Sequence, residues 1–106
     1  MVAEQKVSRT LFLPNPERQV FLRLYIAGRA PRSRAALSNL RRICDTYLAS
    51  RHRLEVVDLA EDPGRAGEDQ ILAIPTLVKL SPLPVARLIG DLSDTPRVLR
   101  GLDVEA

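Results

Sequence analysis

The chain has 106 residues and 8 prolines. It is 45% hydrophobic and 27% charged, with a net charge of +3. This suits one soluble domain with a single core rather than a disordered or fibrous chain. No apolar run approaches the ~18 residues of a membrane span, and one cysteine, Cys44, excludes an intramolecular disulfide.

Residues 1–18 read as an extension, poorly ordered or packed through Leu11-Phe12-Leu13, and closed by the turn chemistry of Pro14-Asn15-Pro16. Residues 19–106 form the domain. Val20 to Ala27 is β-branched, aromatic and apolar on both faces except at Arg23, as a central strand covered by helices should be. Gly28 ends it. From Pro31 or Ser33 to Leu48, apolar residues recur at three- and four-residue steps through Ala36, Leu37, Leu40, Ile43, Cys44, Tyr47 and Leu48. This predicts an amphipathic helix with Pro31 in its first turn and Ser33 as its cap.

Arg53 to Leu59 is a second strand, parallel to the first through the helical crossover. Pro63 to Leu72 then reads as a short helix capped by Asp62. Ala73 to Leu80 is a strand opening near Pro75, and Ser81-Pro82-Leu83-Pro84 breaks it. Val85 to Ile89 is a further strand, and Gly90-Asp91 turns. Ser93 or Asp94 caps a last segment, Thr95 to Val104. The last segment is ambiguous: Gly101 costs about 1 kcal/mol in a helix interior, and Val98, Leu102 and Val104 also suit a strand. The resulting α/β order, βαβαββα, resembles thioredoxin, with Pro75 where that fold places a cis-proline.

A thioredoxin-type oxidoreductase needs a Cys-x-x-Cys at the turn after the first strand, where a helix N-terminus activates the thiol. Here that turn is Gly28-Arg29-Ala30-Pro31-Arg32-Ser33, without a thiol, and Cys44 falls on the apolar stripe. Ser33 keeps open a thiol-independent, glutathione-transferase-like alternative. His52, the only histidine, lies between two arginines and is expected in an exposed turn, without partners for a zinc site. Asp91 and Asp94 read as turn and cap residues. No cofactor or metal site is expected, and neither is an enzyme. The scattered basic residues and few aromatics do not favour nucleic acid, and no membrane partner is expected.

Three stretches carry a more specific resemblance. They are Leu22-Arg23-Leu24-Tyr25-Ile26-Ala27-Gly28, Gln70 to Lys79 (Gln-Ile-Leu-Ala-Ile-Pro-Thr-Leu-Val-Lys), and Ile89-Gly90-Asp91-Leu92-Ser93-Asp94 with Val98-Leu99 and Gly101-Leu102-Asp103. With Val57-Asp58-Leu59 and Glu68-Asp69 they resemble the KaiB family over residues 20–104. The resemblance implies a cytoplasmic, non-enzymatic regulator that binds the KaiC ATPase hexamer and modulates its cycle in circadian rhythm or a related stress response. It also implies KaiA or a histidine kinase as further partners, and a homo-oligomer, dimer or tetramer. A sensor-like module that binds a kinase or another ATPase is the alternative within the same resemblance.

The resemblance further implies two folds. A ground-state oligomer has the order βαββααβ and is expected for a free chain; the binding-competent state has βαβαββα. Gly101, Asp103, Pro75, Pro82 and Pro84 match positions tied to that switch, and Gly101→Ala or Asp103→Arg is expected to favour the thioredoxin-like state. Lys79 and Arg87 match partner-binding positions, and Arg34 lies one residue from another. The chain departs from cyanobacterial relatives in Pro82-Leu83-Pro84, in its N-terminal extension and in an end at Glu105-Ala106 without an acidic tail. These departures imply a relative from outside the cyanobacteria, for which a host without KaiA is an alternative to one that has it.

Overall fold

The computed structural model describes residues 19–104. The expected extension, 1–18, lies outside them. Strand β1 (Val20–Ile26) leads into helix α1 (Pro31–Ile43), which continues as one π-helical turn, Cys44–Leu48. Strand β2 (His52–Asp58) follows, then a 3-10 turn (Pro63–Gly67), strands β3 (Thr76–Ser81) and β4 (Ala86–Ile89), and helix α2 (Thr95–Leu102). The sheet order is β2-β1-β3-β4. β1 and β2 are parallel, with Tyr25 opposite Val57, while β3 is antiparallel to both β1 and β4.

Alternation along β1 divides the molecule into two layers. Val20, Leu22, Leu24 and Ile26 face α1 and α2, and join Ala36, Leu40, Ile43, Leu77, Leu88, Val98, Leu99 and Leu102 in the main core. Tyr25 points the other way and forms a second cluster with Val57, Leu59 and Val78, against which Ala66, Ile71 and Leu80 pack. Arg23 lies on that second face. At ~25 cal/mol per Å2 of apolar surface, each fully buried Leu or Ile of the main core contributes about 1.5–3 kcal/mol before entropy is counted.

Several expectations are corrected. The order βαββααβ expected for a free chain is not the one observed: Thr95–Leu102 is helical. The Asp94 side chain caps it by accepting from the Arg97 N–H at 3.2 Å, and burial of Val98, Leu99 and Leu102 outweighs the helix penalty of Gly101. Ser33 does not cap α1. Ala30 takes the capping position, and the buried Ser33 Oγ instead accepts the Ala27 N–H at 3.0 Å. The helix expected from Pro63 to Leu72 shrinks to the 3-10 turn, and the Asp62 side chain makes no capping hydrogen bond. Gly64 and Gly67 weaken a helix there, and Gln70 has φ +54°, which a helix cannot continue through. β3 begins at Thr76 because Pro75, preceded by a cis bond, has no N–H for the ladder.

Candidate functional site

The turn that carries the thiols in thioredoxins is built here for shape. Gly28 has φ +52°, and a Cβ there would sit 3.4 Å from that of Ala60. Its N–H donates to Asp58 Oδ1 at 2.8 Å, and the Ala60 N–H donates to the same oxygen at 2.9 Å, which fastens the turn to the end of β2. The Pro75 carbonyl accepts the Gly90 N–H at 3.0 Å. Ser33 is 1% exposed, so the hydroxyl on which a glutathione-transferase-like alternative rested does not face solvent. Cys44 is equally buried, and burial, with Asp45 nearby, pushes its thiol up to about 11. It is a small core residue.

His52 is not in an exposed turn. It opens β2, half-buried, and its Nδ1 is the one buried side-chain polar atom without a partner among the described residues. Asp91 and Asp94 behave as turn and cap. Asp91 Oδ1 accepts from the Ser93 N–H at 3.0 Å, and the hydrogen bonds to Ser93 hold its carboxyl below the usual range.

The three cations expected at a partner surface do not form one patch. Arg34 is exposed on α1. Arg87 is exposed on β4 opposite Val78, on the second face of the sheet, and its guanidinium donates to the Asp69 carbonyl. Lys79 is 2% exposed in the interior of β3, between Leu22 of β1 and Ala86 of β4. Its stem belongs to the packed layer in this conformation.

The positions expected to govern the fold switch lie at two ends of the second half. The bonds before Pro75, Pro82 and Pro84 are all cis, the last two within the β3–β4 hairpin. Gly101 sits in α2 against β4, where an added Cβ would lie 2.7 Å from Leu88 Cδ2 and 3.0 Å from Cδ1. Asp103 ends α2 in the left-handed region, φ +60°, with its N–H on the Arg100 carbonyl.

The strongest polar feature lies on the second face and was signalled only by Arg23, the lone charge in an apolar strand. Arg23 Nε donates to Glu55 Oε1 at 2.7 Å and Nη1 to Asp69 Oδ2 at 3.1 Å. Tyr25 OH donates to the same Asp69 oxygen at 2.6 Å. Arg65 joins Glu55 at 2.9 Å and Glu68 at 2.9 Å. Burial works against the Arg23 charge, but hydrogen bonds to Glu55, Tyr25 and Asp69 outweigh it and hold its pKa above the ordinary value. Arg23 and Arg65 hold Glu55 below the usual carboxylate range, and burial together with Asp69 pushes Tyr25 up to about 12. By contrast, Arg29, Arg32, Arg34, Arg41 and Arg42, at and along α1, are all exposed. No acidic residue interrupts them between 29 and 44, and no ion pair among the described residues involves them.

A KaiB domain family model matches residues 23–104. The chain belongs to the KaiB family. It is 45% identical over 86 residues to the circadian clock protein KaiB3 of Synechocystis sp., covering 81% of this chain and 84% of that protein. It is 49% identical over 90 residues to the circadian clock oscillator protein KaiB of a Synechococcus sp., covering 85% of this chain and 82% of that one. Against KaiB of Synechococcus elongatus the identity is 47% over 90 residues, covering 85% and 88%. These KaiB relatives are thus clock proteins by name.

Among solved structures, the N-terminal domain of Synechococcus elongatus SasA superposes with a TM-score of 0.65 at 23% identity, covering 81% of this chain and 85% of that one. Mitochondrial thioredoxin 3 of Saccharomyces cerevisiae gives 0.65 at 18% identity, covering 93% and 88%. The fold is thioredoxin-like, and this KaiB chain has it without the thiols. No helix among the described residues is long and apolar enough to cross a membrane.

Proposed function

We propose that this chain is a non-enzymatic KaiB-type regulator that binds a KaiC-like ATPase hexamer in the cytoplasm, in the βαβαββα arrangement, and modulates its ATPase or phosphorylation cycle. The observation that carries this reading is the KaiB family match across residues 23–104. A thiol-free turn supports it, because thioredoxin-like redox chemistry has no residue to use there. The relatives' naming as clock proteins supports a KaiC-type partner, with KaiA or a histidine kinase as further candidates. A homo-oligomeric free form with the alternative fold is part of the proposal on the family resemblance alone.

Arg87 and Arg34 are the exposed cations assigned to the partner surface, and they engage it from different sides of the sheet. Lys79 contributes where the partner, or the second arrangement, gives access to it. Gly101, Asp103, Pro75, Pro82 and Pro84 set the balance of folds. Binding of the purified chain to the cognate KaiC-like hexamer, with ATP and with ADP, tests the reading. Association in one nucleotide state is expected, weakened at least tenfold by Arg87→Glu. No binding in either state overturns it.

A further inference from the structure

The second apolar cluster lacks the α-helical cover of the main core. What lies over Tyr25, Val57, Leu59 and Val78 is the segment 63–74, which contributes Ala66 and Ile71. That segment is poor in backbone anchoring. Its hydrogen bonds are short-range, Glu68 N–H to Arg65, Gln70 N–H to Gly67 and Ile71 N–H to Ala66, and it joins no strand of the sheet. Side chains hold it instead. Arg23 and Tyr25 of β1 both reach Asp69, Arg65 reaches Glu55 of β2, and Arg87 of β4 holds the Asp69 carbonyl.

We infer that residues 63–74 are a strap across the second face of the sheet, latched by the contacts converging on Asp69, which opens as a unit while the main core stays folded. The physical reason is that the latch is polar and partly exposed. Arg23, Arg65 and Arg87 meet Glu55, Glu68 and Asp69 there, with Glu68 at 3.9 Å from Arg23. Partly exposed ion pairs each contribute little, so loss of the Asp69 contacts leaves little else to hold the strap to the sheet. Apolar burial on this face involves few residues, and sparse burial marks the least stable part of a fold. Opening uncovers a trough lined by Tyr25, Val57, Leu59 and Val78. The inference is independent of any KaiC-like partner, so its failure leaves the proposed function standing.

Hydrogen–deuterium exchange on the full chain at pH 7 tests it, with anilinonaphthalene sulfonate as a reporter of exposed apolar surface. In Asp69→Ala, the amides of Glu68, Gln70 and Ile71 are expected to exchange at least tenfold faster. Those of Leu24 and Leu40 keep wild-type rates, and dye fluorescence rises. Should that variant not fold, Tyr25→Phe and the wild-type chain in 1 M salt are expected to show the same selective acceleration. Acceleration of all amides together, or no change at the strap, overturns the inference.

Discussion

Gly101→Ala sets two computable effects against each other. Alanine in place of glycine in the interior of α2 gains about 1 kcal/mol of helix propensity. The new Cβ, however, would lie 2.7 Å from Leu88 Cδ2, 3.0 Å from Cδ1 and 3.1 Å from Cγ. Ordinary carbon–carbon contact is about 3.5–4.0 Å. Because Cγ is also too close, turning a methyl group is not enough. Leu88 must change rotamer or α2 must lift, and Leu88 is 7% exposed within the core. Overpacking of this kind costs about 1–3 kcal/mol. The thioredoxin-like state should therefore lose up to about 2 kcal/mol, or about break even.

Urea unfolding of Gly101→Ala, Leu88→Val and the double variant measures the two effects separately. Valine removes both Cδ atoms and leaves only the 3.1 Å contact to the γ carbon, so in that background the alanine should cost less than in the wild type, with a coupling of about 1–3 kcal/mol. Additive single effects would refute the contact. The shift toward the thioredoxin-like state expected for Gly101→Ala then requires that alanine cost still more in the other arrangement. Light scattering reads that population, and a wholly tetrameric variant would sink the expectation.

Other tests bear on single residues. Asp103 combines a positive φ with a carboxylate at the negative end of the α2 dipole, so Asp103→Gly should stabilise by roughly 1 kcal/mol. Asp103→Ala keeps the backbone cost, and a melting temperature equal to that of the glycine variant would contradict the account. Glu55 is held below its ordinary value of 4.5 by hydrogen bonds from Arg23 and Arg65. A depressed folded pKa gives stability that is whole above about pH 4.5 and is lost as pH falls through the folded value. Glu55→Gln should therefore flatten the acid limb of a stability–pH curve, and an unchanged limb would dismiss the pairing. Cys44, with its thiol pushed up to about 11 and its side chain buried, should resist an aromatic disulfide reagent at pH 8 until denaturant is added. Rapid native labelling would show that the thiol is reachable.

Much of the fold could be read locally. The unbroken apolar run of β1 and the stripe from Ala36 to Leu48 depend on the chain's own periodicity, and both elements form close to where that periodicity puts them. What failed depends on contacts distant in sequence. Ser33 looked like a cap, but its hydroxyl turns back to β1. The segment after Pro63 has no apolar stripe to make it a helix, and its position is set by Arg23 and Tyr25, more than forty residues earlier. The ambiguous tail was decided by whether Val98, Leu99 and Leu102 find a core, which no local pattern states. At the candidate site, Arg87 and Arg34 were named only through their match to family positions, and their exposure is a finding of the structure. The burial of Lys79 follows from its place in an inner strand of the sheet, and strand order is a property of the whole chain.

The sheet also sorts charge. Five arginines without an ion pair among the described residues crowd α1 and the turn before it on one face, while on the other the charges of Glu55, Glu68 and Asp69 are offset by Arg23 and Arg65. The molecule thus carries a permanent electrostatic axis running through its sheet. Within about a Debye length, ~10 Å at moderate salt, such an axis turns an approaching molecule before contact is made. A partner with a negative rim would meet the helical side first and at a rate that salt slows, so orientation would be chosen during diffusion rather than after collision.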